Sequence, residues 1–71
     1  MGSLPACVDI WHNSGWVTQT VYIKNTCSRR VGYVVEIAVI PDSHCIEVPR
    51  GKTKKYNWGK AWRWDGVHKC L

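Results

Sequence analysis

Seventy-one residues carry ten Lys and Arg against five Asp and Glu, a net charge of +5, with five Trp, one Met and no Phe. A chain this short makes one domain and buries only about 60% of its unfolded surface, so its core alone leaves it marginal. With its few acids scattered, no nucleophile motif and too little chain to enclose a substrate pocket, an enzyme is not expected. Nor is a membrane span, since no run of about 18 apolar residues exists.

One disulfide-stabilised domain is expected from Pro5 to Leu71. Met1 to Leu4 form a tail in which Met1-Gly2-Ser3 reads as a cloning remnant, so any secretion signal is taken to have been removed. Val8 to Trp11 reads as a first strand and His12 to Gly15 as a turn, on the turn chemistry of Asn13, Ser14 and Gly15. Trp16 to Ile23 follows as a strand, with Val17, Val21 and Ile23 on one face and Thr18, Thr20 and Tyr22 on the other. Lys24 to Arg30 is a polar break. Val31 to Ile40 is a β-branched run in which Val31, Tyr33, Val35, Ile37 and Val39 share a face, Glu36 lying opposite beside Val34 and Ala38.

Pro41-Asp42-Ser43 closes that strand. Cys45 to Val48 is a short strand, and Pro49-Arg50-Gly51 is a turn. Lys52 to Trp58 alternates Thr53, Lys55 and Asn57 against Lys54, Tyr56 and Trp58, with lysines suited to blunting an edge. Gly59 allows a reversal into Ala61 to Trp64, Asp65-Gly66 reads as a turn, and Val67 to Leu71 closes the chain. Short strands at regular spacing, with no helical period, predict an all-β fold: a six-stranded antiparallel β-sandwich or small barrel.

Cys7, Cys27, Cys45 and Cys70 stand far apart rather than in the close pairs of a zinc site, so two disulfides and an oxidising, extracellular compartment are expected. Three connectivities are open to four cysteines; sequential pairing is the simplest, and each bridge is worth roughly 3 kcal/mol. Bridged cysteines cannot ligate, so His12, His44 and His68 are not read as metal ligands and no cofactor is expected.

Asn25-Thr26-Cys27 before an alternating strand, then Pro41-Asp42-Ser43-His44-Cys45, Val48, Gly51 and a closing Cys70-Leu71, resembles the tendamistat-like α-amylase inhibitors. These are small secreted actinomycete β-sandwiches with two sequential disulfides. The resemblance implies pairing of Cys7 with Cys27 and Cys45 with Cys70, and inhibition of an α-amylase-like hydrolase. Members of that family place a Trp-Arg-Tyr triplet on a loop between the first two cysteines, the Arg meeting the acidic catalytic cleft. Here the matching stretch, Ser14 to Thr18, has Trp16 and no Arg.

The remaining candidate surface is the acid-free segment from Arg50 to Arg63, where Tyr56, Trp58, Trp62 and Trp64 interleave with Lys54, Lys55, Lys60 and Arg63. Trp, Tyr and Arg are the residues that most often anchor interfaces. If Lys52 to Trp64 is a hairpin, its two strands align these side chains on one sheet face. Period two puts Trp62 and Trp64 together and Arg63 opposite, and with Phe absent at least one of those indoles is expected in the core. The expected partner is an extracellular hydrolase bound by a monomer through Trp16, Tyr56, Trp58, Trp62, Arg63, Trp64, Lys54 and Lys55.

The alternative is a basic, Trp-rich antimicrobial or envelope-binding protein on an anionic or carbohydrate surface, indoles stacking on sugars while Asp65 or Asn57 bond hydroxyls. Nucleic acid would need the same lysines on phosphates and is disfavoured outside the cell. The plainest reading of the lysines is a solvated strand face.

Overall fold

A computed structural model describes residues 5–71; the expected tail, Met1 to Leu4, lies outside the described residues. Six strands form two three-stranded antiparallel sheets: β1 (Val8–Ser14), β2 (Thr18–Asn25), β3 (Val31–Ile37), β4 (Ile46–Val48), β5 (Thr53–Gly59) and β6 (Trp64–Lys69). The sheet orders are β1-β2-β5 and β4-β3-β6, so the most β-branched strands, β2 and β3, take the centres. The all-β expectation holds, with six strands in two facing sheets.

The inner faces supply the core. Val21 and Ile23 from one sheet meet Val31, Tyr33, Val35 and Ile37 from the other, with Val8, Ile46, Val48, Trp58 and Val67 completing it. Val34 and Glu36 sit half-buried on the outer face of β3, as alternation requires. Disulfides join Cys7 to Cys27 and Cys45 to Cys70, the pairing that the resemblance implies.

Several strand boundaries move. β1 runs through His12, Asn13 and Ser14 rather than turning there, because every one of these residues has a cross-strand partner, ending at Ser14 opposite Gln19. The imidazole of His12 continues the inward period of Val8 and Ile10 and packs against Trp64 at 5.1 Å and Trp58 at 6.0 Å. The turn is therefore Gly15-Trp16-Val17. Val17 does not share the inner face of Val21; it lies exposed on the turn, ahead of the strand.

β3 stops at Ile37, three residues before its apolar run does. Ser43 takes over the backbone there, accepting from the Val35 amide through Oγ and donating its own amide to the Val35 carbonyl, while Asp42 Oδ1 accepts from the Ile37 amide. Val39, expected inward, instead has φ 77° and is 93% exposed.

The expected hairpin from Lys52 to Trp64 does not form. β5 pairs with β2 and β6 pairs with β3 in the opposite sheet, so the chain between Gly59 and Trp64 crosses the sandwich. Asp65-Gly66 is a bulge rather than a turn: Trp64 pairs with Ile37 and Gly66 with Glu36, leaving Asp65 extra. That single insertion lets Trp64 and Val67, three positions apart, both face inward, and Gly66 takes φ 137°, where a side chain would strain.

The sandwich has two ends. One carries the Cys7–Cys27 bridge and is organised by Asn25, which is fully buried. Its Nδ2 donates to the carbonyls of Arg29 (2.8 Å) and Val48 (2.9 Å), and its Oδ1 accepts from the Cys27 amide (2.8 Å). One polar side chain thus ties β2, the following loop and β4 together across both sheets. The other end carries three loops: Gly15–Val17, the residues after Ile37, and Lys60–Arg63.

Candidate functional site

The three-loop end is built around the turn Gly15-Trp16-Val17. The Gly15 amide donates to the Thr18 carbonyl at 2.9 Å, closing the turn, and the indole of Trp16 projects almost fully into solvent, 97% exposed. Lys60, from the crossing between sheets, grips the turn twice. Its amide donates to the Val17 carbonyl at 3.1 Å and its ammonium donates to the Gly15 carbonyl at 2.8 Å. An ammonium has three donors, so this cation remains able to bond a further acceptor beside Trp16. A shallow depression lined by Ser14, Gly15, Trp16 and Lys60 marks the junction.

Gln19 fixes the crossing from below. It is buried, and its Nε2 donates to the carbonyls of Lys60 (2.9 Å) and Trp62 (2.6 Å). With both amide hydrogens spent, Oε1 must accept, so His12 Nε2, 2.9 Å away, is the donor. The Trp58 indole N–H also donates to the Trp62 carbonyl at 2.7 Å. The backbone of this loop is therefore held by buried groups while its side chains stay outside.

The Trp62 ring, 37% exposed, lies over Gly59: a Cβ there would come within 2.6 Å of it. Arg63 follows, largely exposed, its Nε donating to Asp65 at 3.0 Å, a surface pair worth about 0–1 kcal/mol. The Arg63 carbonyl accepts from the Ala38 amide, which brings the exposed Val39 to the same end. Trp16, Val17, Val39 and Trp62 thus form an apolar set flanked by Lys60 and Arg63.

Against this surface the sequence candidates divide. Trp16, Trp62 and Arg63 stand at the three-loop end. Trp58 is in the core, 7% exposed; Trp64 and Tyr56 are half-buried, packed against the core, with the Trp64 N–H donating to the Gly66 carbonyl. Lys54 and Lys55 are the second and third residues of β5, opposite Ile23 and Tyr22 and away from this end. The side chains of the acid-free segment are not aligned on one face, because β5 and β6 lie in different sheets. The sequence does not single out Val17, Val39 or Gln19 as site residues; its turn signal, His12 to Gly15, ends two residues short of Val17, which the Gly15-Trp16-Val17 turn exposes.

A family model described as alpha amylase inhibitor matches residues 3–70. The chain belongs to this family. No curated protein and no solved structure matches it. Membership agrees with the two-sheet fold and the sequential disulfides, and an inhibitor family implies a hydrolase as partner. Within the family frame, Trp16 occupies the turn between the first two cysteines, and its neighbouring cation comes from Lys60 in a different loop. Among the described residues no cluster of His, Cys, Asp or Glu could hold a metal ion, and no helix is long and apolar enough to cross a membrane.

Proposed function

We propose that this chain is a secreted, non-catalytic inhibitor of an extracellular α-amylase-like hydrolase, docking through Trp16, Lys60, Trp62 and Arg63. The observation that carries the reading is the Lys60 ammonium bonded to the Gly15 carbonyl beside a fully exposed indole. A large apolar side chain left in water on a rigid turn is the kind of anchor that carries binding energy, and a rigid turn loses little entropy on docking.

Glycoside hydrolases work with paired carboxylates flanking the scissile bond. Two cations beside an indole complement such a cleft electrostatically, and occupying it blocks turnover. The family's contiguous Trp-Arg-Tyr triplet is here replaced by a discontinuous set, aromatic from one loop and cation from another. Val39 adds support: a β-branched residue at positive φ is strained, no burial repays the strain, and such outliers cluster at working surfaces.

The test is steady-state inhibition of a panel of secreted α-amylases by the intact chain and by Lys60→Ala with Arg63→Ala. Stoichiometric inhibition that the double substitution weakens supports the reading; inhibition that survives it unchanged excludes these cations.

A further inference from the structure

The positive charge is not spread over the sandwich. Lys24, Arg29, Arg30, Arg50, Lys52 and Lys69, six of the ten cations, gather at the end opposite Trp16, where the acids are Asp9 and Glu47. Four of the five net positive charges therefore sit at that end. The Asn25 hub brings them together: its side chain fixes the Arg29 carbonyl, its amide donates to the Lys52 carbonyl, and its carbonyl accepts from the Gly51 amide. Lys69 arrives by pairing opposite Tyr33.

All six side chains are exposed, and among the described residues Arg30 alone of the six forms an ion pair, with Glu47 at 3.1 Å across solvent-exposed groups. Arg29, Arg30 and Lys69 rim a cavity of about 200 Å³. Like charges gathered at one end repel, and the repulsion is relieved when a polyanion replaces condensed counterions.

The neighbouring surface narrows the partner. Among the described residues, the exposed large apolar side chains Trp11, Trp16, Val17, Val39 and Trp62 lie elsewhere and Leu71 alone is near, a single side chain where a bilayer anchor needs an apolar face. Tyr33 beside Lys69 is buried, and the rings nearest Lys24, Tyr22 and Trp11, are stacked on each other at 5.2 Å rather than set out singly for bases.

We infer that the cationic end is a second binding surface, for a linear phosphate-bearing polymer held through its backbone charges, leaving the Trp16 end free. Fluorescence anisotropy of labelled inorganic polyphosphate with the intact chain tests it. Engaging about four phosphates gives a log–log salt slope near −3, so affinity falls about 60-fold between 50 and 200 mM salt. Arg29→Glu with Lys69→Glu weakens binding at least tenfold, whereas the same charge change at Lys60 and Arg63 leaves it near the parent value; Arg29→Gln with Lys69→Gln repeats the test with less disturbance. Equal losses at the two ends, no binding at 50 mM salt, or tighter binding to phosphatidylserine vesicles than to polyphosphate overturns the inference.

Discussion

Gln19 connects the core to the Lys60–Arg63 loop, and replacing it by Leu isolates that connection. Leucine roughly keeps the volume and removes three hydrogen bonds: two donated to the Lys60 and Trp62 carbonyls and one accepted from His12. The Trp62 carbonyl retains the Trp58 N–H, but the Lys60 carbonyl and His12 Nε2 lose the partners they have here. At about 1 kcal/mol per bond, and more where a group stays buried without a partner, the loss is about 2–3 kcal/mol. For a domain of this size that lowers Tm by about 10–20 °C, read by circular dichroism with both disulfides intact. Because the loop backbone positions Lys60, hydrolase inhibition at a temperature where the variant is folded should weaken as well. A Tm within about 2 °C of the parent would refute the view that buried groups hold this loop.

Three further substitutions probe other joints. Gly59→Ala places a methyl where the Trp62 ring lies, so the ring must swing away; stability should change by less than about 1 kcal/mol while partner affinity falls, as titration calorimetry can show. Asn25→Asp removes the donors to Arg29 and Val48 at a fully buried site and should cost about 3 kcal/mol or more in chemical unfolding. Val39→Gly relieves a left-handed β-branched residue and should raise stability by up to about 1 kcal/mol, seen as a higher denaturation midpoint.

The parts of the fold that alternation controls could be read from the sequence. In β2 the inward Val21 and Ile23 and outward Thr20 and Tyr22 follow the period of two, and β3 repeats it from Val31 to Ile37. What could not be read was where local turn chemistry loses to pairing. His12, Asn13 and Ser14 look like a turn, yet their cross-strand partners keep them in β1 and move the turn to Trp16. Asp65-Gly66 has the composition of a hairpin turn, but the alternative served by those residues is a bulge that turns Trp64 inward.

Strand partnership was the largest gap. Nothing in Lys52 to Trp64 says that its two halves join different sheets, and that crossing is what separates Trp58 in the core from Trp62 and Arg63 outside. The Trp62-Arg63-Trp64 triplet is consequently not one motif: its first two members stand at the three-loop end and its third packs against the core. The cation beside Trp16, Lys60, bonds a carbonyl 45 positions away at Gly15 and has no local signal at all.

The central claim rests on Trp16, which touches little of its own fold. Trp16→Ala should leave the unfolding free energy within about 0.5 kcal/mol of the parent. If the indole anchors a hydrolase cleft, the same substitution should raise the inhibition constant for the target α-amylase at least 30-fold, the equivalent of about 2 kcal/mol. An unchanged inhibition constant in the folded variant would contradict the account.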